Sequence, residues 1–92
     1  MRLLLTERFQ DDLKVLSAEE RLECWGVILA VPAAFREPKK HTGLSLRKLH
    51  ASGIWEVRAG LKLRLVFALD KEYAVFRRAG NHDEVRRYLR SL

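Results

Sequence analysis

The spacing of apolar residues changes once along the chain, and this change constrains the fold more than any other feature. Phe9, Leu13 and Leu16 recur at intervals of three or four residues, which is the period of a helix with one buried side. Between Leu61 and Leu69 every odd-numbered residue is apolar, which is the period of a strand with one buried face. A chain with both periods in separate halves is expected to form an α+β domain, with helices packed on an antiparallel sheet.

The N-terminal part is predicted to form a short strand and then two consecutive helices. The strand covers residues 2–5 and the first helix residues 6–16. Two helices joined so closely are expected to form an antiparallel hairpin. Three charged residues of the first helix are expected to point outward: Asp11, Asp12 and Lys14.

The second helix has a recognisable beginning and end. Ser17 and Glu20 have the spacing of a capping box, in which each side chain bonds the other's backbone amide. Pro32 and Pro38 are expected to bracket the end of the helix and its exit loop. The predicted apolar positions of this helix include Leu22, Trp25, Ile28 and Leu29.

The C-terminal part is predicted to form three strands and a final helix. The strands cover residues 54–58, 61–69 and 73–78, with turns between them. Asn81 and Glu84 form a second capping box, and the helix that follows buries Val85, Leu89 and Leu92. The whole chain, residues 1–92, is therefore expected to be one domain with the order β-αα-βββ-α.

Strand alternation also predicts a cluster of charges. The apolar faces of the first two long strands coincide only if position 58 faces position 62 and position 56 faces position 64. If the next turn keeps the same parity, Arg78 pairs with Arg64 and joins the cluster. Without Arg78, and independently of that turn, the register of the first hairpin already gives this charged face Glu56, Arg58, Lys62 and Arg64. A solvated cross-strand ion pair between Glu56 and Arg64 would explain two of these residues without any function.

The net charge of +6 is distributed unevenly along the sequence. Residues 1–35 have four basic and six acidic residues, residues 36–64 have eight and two, and residues 65–92 have six and four. The basic surface could attract a polyanion such as nucleic acid or an acidic protein. A solvated basic face that only maintains solubility is the alternative, and charge alone leaves both open.

Several classes of protein are disfavoured by the sequence. No apolar run approaches the roughly 20 residues of a membrane helix. The apolar stretch at the N-terminus is too short for a secretory signal. The single cysteine, Cys24, excludes an internal disulfide and suits a reducing cytoplasm, where it is expected to be a packed thiol. The sequence has no metal-ligand spacing, phosphate-binding glycine loop or serine nucleophile motif, and we expect no metal and no cofactor.

The charged strand face suits chemistry on a phosphodiester. Cleavage of RNA without a metal needs a base for the 2′-hydroxyl, cations for the phosphate and an acid for the departing 5′-oxygen. Arg58, Lys62 and Arg64 repel one another, and a bound anion would relieve this repulsion. His82 follows the last strand at a predicted helix N-terminus, a position that favours anions. The alternative is that His82 only belongs to a well-formed helix start.

Five segments, taken in their order and spacing, give the chain a resemblance to a known family: RFQDDL (8–13), LRKL (46–49), IWEVR (54–58), LRLVF (63–67) and RAGNHDEVRRYL (78–89). Through them the sequence resembles the RelE/ParE superfamily of bacterial toxins over nearly its whole length. The resemblance implies a helical hairpin on a twisted antiparallel sheet. It also implies the toxin of a type II toxin–antitoxin system, which cuts mRNA on the ribosome and forms a hetero-oligomer with its antitoxin.

The same resemblance implies a set of site residues. Arg64 matches an arginine that acts on the scissile phosphate, His82 a catalytic histidine of YafQ-like members, and Tyr88 a C-terminal tyrosine near the cleaved base. Arg58 lies near a strand lysine of RelE, whereas Glu56 stands where RelE has a second lysine. Further contacts to RNA or phosphate are expected from Lys48, Lys62, Arg78 and Arg47.

Two other functions remain possible at the level of sequence. A ParE-like member would bind and block DNA gyrase without being an enzyme, and the shared fold does not choose between the two. His82 and Tyr88 favour the nuclease, since ParE-like chains generally lack them. A degenerate toxin would only bind RNA or its antitoxin.

Overall fold

The computed structural model describes residues 1–50 and 52–92 and, for His50, the backbone alone. The elements are β1 (Arg2–Leu5), α1 (Glu7–Lys14), α2 (Ala18–Arg36), β2 (Arg47–His50), β3 (Ile54–Ala59), β4 (Leu63–Asp70), β5 (Tyr73–Gly80) and α3 (His82–Arg90). Two short 3-10 turns, Pro38–Lys40 and Thr42–Leu44, lead from α2 to β2. The strands form one five-stranded sheet in the order β1-β5-β4-β3-β2.

The predicted α+β fold is confirmed, with two differences in the sheet. β1 pairs with β5 in parallel, whereas the other neighbouring strands are antiparallel, so the sheet is mixed rather than antiparallel throughout. The additional strand β2 lies at the edge beside β3. Its sequence, Arg-Lys-Leu-His, does not alternate between apolar and polar residues, and periodicity therefore did not reveal it.

All three α-helices begin with a side-chain cap. Thr6 accepts a hydrogen bond from the Phe9 amide at the start of α1. Both predicted capping boxes are confirmed, with reciprocal bonds between Ser17 and Glu20 and between Asn81 and Glu84. The amide of Ser17, which donates to the Glu20 carboxylate, lowers the pKa of Glu20. These caps explain why the helices start where the sequence predicted.

The main core lies between one face of the sheet and the helices α1 and α2. Phe9 and Leu13 of α1 pack with Ile28 of α2 over the odd-numbered residues of β4. Phe67 and Phe76 lie at the centre of this core, with ring centroids 5.0 Å apart. The predicted apolar face of the central strands is thereby confirmed for Val57, Leu63, Leu65 and Phe67.

A second, smaller core lies on the opposite face of the sheet. Val85 of α3 is buried there against Ile54, Val66 and Ala68, and Leu89 packs beside it, as predicted. β4 is therefore covered on both faces, by α1 and α2 on one side and by α3 on the other. The predicted burial of Leu92 was wrong, because α3 ends at Arg90 and Leu92 is 58% exposed. Within residues 1–50 and 52–92, no helix has both the length and the apolar character that crossing a membrane would require.

Of the four apolar positions that the sequence indicated in α2, Ile28 is buried and the other three are exposed. Cys24, Ile28, Val31 and Ala34 are buried, whereas Leu22, Trp25 and Leu29 are 72%, 41% and 67% exposed. Apolar residues occur on nearly every side of this helix, so their period did not determine which side faces the sheet. Pro32 also lies inside the helix rather than at its end.

The register of the central hairpin differs from the prediction by two residues. Arg58 faces Arg64 and Ala59 faces Leu63, because the turn occupies residues 60–62. Gly60 begins this turn with φ +70°, a conformation that glycine adopts without strain. Leu61 is consequently fully exposed in the turn instead of buried in β4. A shift of two preserves which side chains share a face, so the predicted faces remain correct.

The observed orientation of α2 can be tested with two neighbouring residues. Ile28→Ala should lower the free energy of unfolding by about 2–5 kcal/mol, because it leaves a cavity in the main core. Leu29→Ala should change it by less than about 0.5 kcal/mol, because Leu29 contacts mainly solvent. Urea denaturation of both variants measures this difference. A larger loss for Leu29→Ala than for Ile28→Ala would contradict the observed orientation of α2.

Cys24 should be unusually slow to react with alkylating reagents. Burial raises the pKa of its thiol to about 11, from 9.0 for an ordinary cysteine. At pH 8 the folded protein should therefore react with iodoacetamide at least about 100-fold more slowly than the unfolded chain. The raised pKa stabilises the fold fully below pH 9.0, and this contribution is lost as the pH rises through about 11. Rapid labelling of the folded protein, followed by mass spectrometry, would contradict the burial of this thiol.

Candidate nucleic-acid interface

A buried carboxylate organises the charged residues on the sheet face that carries α3. Glu56 of β3 is only 5% exposed. Its Oε2 accepts a hydrogen bond from Nη1 of Arg64 at 3.1 Å and lies 3.5 Å from Nη2 of Arg47. Arg64 is itself mostly covered, whereas the side chain of Arg47 is 65% exposed. Glu56 thus holds the Arg64 guanidinium in a defined position at the surface of the sheet.

Arg58 adds a second positive charge directly beside Arg64. The two residues are register partners on β3 and β4, so their side chains leave the sheet on the same face. Arg58 is exposed, and it has no acidic partner within the described part of the chain. Like charges placed directly opposite each other are unfavourable in a sheet. The pair therefore favours an anion between or above the two guanidinium groups.

His82 lies close to this arginine pair along the chain. Gly80 is the register partner of Arg64, and His82 begins α3 two residues later. Paired Cα atoms are about 5 Å apart and two residues span at most about 7.6 Å, so the Cα atoms of Arg64 and His82 are within roughly 13 Å. α3 packs on the same sheet face as Arg64, and the His82 side chain is exposed. One phosphate group can therefore lie within reach of both side chains.

Tyr88 and Arg78 form a separate group on the other flank of α3. Six positions correspond to roughly 240° around a helix, so Tyr88 and His82 do not point in the same direction. The guanidinium carbon of Arg78 lies 5.6 Å from the centre of the Tyr88 ring. The predicted pairing of Arg78 with Arg64 was wrong, because a bulge in β5 makes Arg78 the partner of Val66.

Asp12 fixes Arg78 in this position. Its Oδ2 accepts hydrogen bonds from Nε of Arg78 at 2.8 Å and from the amide of Ala79 at 2.9 Å. The prediction that Asp12 points outward was therefore wrong, since its side chain is only 12% exposed. Helix periodicity cannot detect such a contact, because the partner residues lie more than sixty positions away in the sequence.

Two of the expected basic residues lie apart from the arginine pair. Lys48 is the register partner of Trp55, so its side chain leaves the sheet on the face opposite to Arg64. Lys62 lies in the turn after β3, where its charge helps to lower the pKa of Glu20. The predicted four-residue cluster therefore lacks Lys62 and instead includes Arg47, which the unpredicted strand β2 brings to Glu56.

The chemical capacity of this surface follows from its composition. It offers two adjacent guanidinium groups for a phosphate and one nearby imidazole that can donate or accept a proton. No group of three or more histidine, cysteine, aspartate or glutamate side chains in residues 1–50 and 52–92 is arranged to hold a metal ion. The surface suits binding and proton transfer on a phosphodiester.

Comparison with known proteins identifies the fold through structure alone. The sequence matches no protein-family profile and no curated protein. The structure is similar to the RelB–RelE antitoxin–toxin complex of Methanococcus jannaschii, with a TM-score of 0.67, 17% identity and coverage of 92% of this chain and 96% of that chain. It is also similar to YafQ of Escherichia coli, with a TM-score of 0.61, 16% identity and coverage of 92% and 98%.

A third similar structure comes from the toxin–antitoxin complex RelBE2 of Mycobacterium tuberculosis. It has a TM-score of 0.52 at 20% identity, with coverage of 88% of this chain and 96% of that chain. At such identities the similarity is one of fold. The chain has the α+β fold of the RelE and YafQ toxins, as the resemblance in its sequence implied.

The contact between Asp12 and the end of β5 can be tested against its exposed neighbour. Asp12→Ala should lower the free energy of unfolding by about 1–3 kcal/mol, because it removes a charged acceptor from two largely covered donors. Asp11→Ala should change it by less than about 0.5 kcal/mol, since Asp11 makes only an exposed pair with Lys14. Thermal or urea denaturation gives both values. Equal effects would mean that Asp12 does not anchor Arg78.

Proposed function

We propose that the protein is the toxin of a type II toxin–antitoxin system and acts as a metal-independent mRNA endonuclease on the ribosome. The observation that carries this proposal is the arginine pair Arg58 and Arg64 beside His82, on a chain with the RelE and YafQ fold. A ribosome-directed activity would take place in the cytoplasm.

Each residue of the pair has a distinct role in the proposed reaction. Arg64, held by Glu56, binds the scissile phosphate in a fixed orientation, and exposed Arg58 approaches it from the neighbouring strand. The two charges stabilise the negative charge that develops when the 2′-hydroxyl attacks phosphorus. No bound metal is required for this stabilisation.

His82 supplies the proton transfer in the proposed reaction. It acts either as the base that takes the 2′-hydroxyl proton or as the acid that protonates the departing 5′-oxygen. Its exposure at the N-terminus of α3 gives a bound RNA strand free access. Tyr88, on the other flank of α3, contacts a base further along the strand through the ring face that Arg78 does not occupy.

The proposed regulator is a cognate antitoxin with an acidic or amphipathic segment that folds on binding. Such a segment would cover the Arg58 and Arg64 face or displace α3. Displacement of α3 would expose little apolar surface, because the helix is held mainly by Val85, Tyr88 and Leu89 over the small second core. The RelE and YafQ structures that resemble this chain include complexes with antitoxins. A small neighbouring reading frame that encodes an acidic protein would support this partner.

The nuclease activity can be tested on ribosomes programmed with a defined mRNA. His82→Ala should lower the cleavage rate by about 10²–10⁴-fold, because it removes the proposed proton donor or acceptor. Arg64→Ala and Arg58→Ala should also slow cleavage strongly. Arg58 is the cleaner variant, since it makes no ion pair in the described residues whose loss would disturb the fold. Primer extension of the mRNA measures each rate.

Arg36→Ala is the matched control for these substitutions. Arg36 is also exposed, but it ends α2, which covers the opposite face of the sheet. Its loss should leave cleavage unchanged. If His82→Ala and Arg58→Ala cut as well as the wild type, the proposed site is wrong. Gyrase-dependent DNA breaks with intact mRNA would instead support the ParE-like alternative, and an absence of growth arrest would support a degenerate toxin.

A further inference from the structure

The exposed side of α2 is apolar along most of its length. Leu22, Trp25 and Leu29 are 72%, 41% and 67% exposed, and they follow one another at intervals of three and four residues. This spacing places them in one stripe along the helix. Ala18 precedes the stripe, and Ala33 follows it on the same side. Single exposed apolar residues are common on protein surfaces, whereas three large ones in one stripe form a contiguous patch that indicates an interface.

The stripe is complementary to itself when two copies of α2 lie antiparallel. A two-fold axis midway between Trp25 and Gly26 sets Leu22 of one copy opposite Leu29 of the other. The same axis sets each Trp25 opposite the Gly26 of its partner. A Cβ atom at position 26 would have no other atom within 4 Å in the monomer, so the helix surface beside Gly26 is open. The tryptophan ring of the second copy can pack into this open space.

The charges at the two ends of α2 favour the same antiparallel orientation. The N-terminal end carries Glu19, Glu20 and Glu23 beside one arginine, whereas the C-terminal end and the turn after it carry Arg36, Lys39 and Lys40 beside Glu37. An antiparallel arrangement brings the acidic end of one helix to the basic end of the other, and it also opposes the two helix dipoles. A parallel arrangement would bring like charges together.

We infer that the α2 stripe is the interface of a two-fold symmetric homodimer. The two copies meet through Leu22, Trp25 and Leu29, with Gly26 at the axis. A closed two-fold contact uses the same patch on both copies, so association stops at the dimer. Because α2 and α3 lie on opposite faces of the sheet, dimerisation leaves the Arg58 and Arg64 face of each copy open. The association therefore does not depend on the proposed nuclease activity.

Sedimentation equilibrium of the full chain tests this interface. An interface of one helix face per copy is small, so dissociation in the micromolar range is expected, and protein from about 1 to 300 µM should be used. The mean mass should rise from that of the monomer to twice that value. Leu29→Glu should weaken association at least tenfold, because it places a charge against the apolar Leu22 of the partner.

Leu92→Glu is the matched control for that substitution. Leu92 is 58% exposed and follows α3, which lies on the opposite face of the sheet from α2, so association should be unchanged. Both variants should fold and cut mRNA like the wild type, which separates a failure of the interface from a failure of the proposed function. A monomer over the whole concentration range, or a mass that increases beyond the dimer, would overturn the inference.

The antiparallel orientation can be tested separately by disulfide formation. An equal mixture of Ala18→Cys and Ala33→Cys proteins should form a mixed disulfide, because the proposed axis sets position 18 opposite position 33. Each variant alone should form no disulfide-linked dimer after oxidation, because the proposed axis keeps its two new cysteines apart and Cys24 is buried. A disulfide between two copies of Ala18→Cys alone would show a parallel arrangement and would contradict the proposed dimer.

Discussion

The rest of the structure depends on the burial of β4 on both faces of the sheet. Leu63, Leu65 and Phe67 pack under α1 and α2, whereas Val66 and Ala68 pack under α3. This two-sided burial gives the sheet one face that carries α1 and α2 and another face that carries α3 and the charged residues. Arg64 lies near the start of β4 and projects from the α3 face, where Glu56 holds its side chain. The position of the candidate site therefore follows from how the core is divided.

Two largely covered carboxylates, Glu56 and Asp12, fix the positions of arginine side chains on this surface. Glu56 fixes Arg64 and attracts Arg47 on one flank of α3, and Asp12 fixes Arg78 against Tyr88 on the other. In each case one acid holds a guanidinium group in place at the edge of the solvent. Removing flexibility from an arginine lowers the entropy that it loses when it binds a phosphate. In the proposed function, each acid would favour phosphate binding by its arginine without touching the RNA.

The two sides of the sheet also separate the two proposed interactions. RNA is proposed to bind where α3 begins, whereas a second copy is proposed to bind α2 on the opposite side. A charge of +6 would oppose the approach of two copies, but the negative end of α2 faces the positive end of its partner. Chemistry and association can consequently change independently of each other, because no residue is shared between the two surfaces.

Local sequence patterns determined the caps, the alternation of the central strands and the helix that follows Asn81, because these depend on neighbours a few positions away. The sequence also indicated Arg58, Arg64 and His82 as candidate site residues. Only the tertiary structure decided which side of α2 is buried, since that helix is apolar almost all round. It also decided that β1 joins the sheet in parallel and that β2 brings Arg47 to Glu56. The contact between Asp12 and Arg78 joins the two ends of the chain, and such a contact has no local signal because it arises only when the sheet has formed.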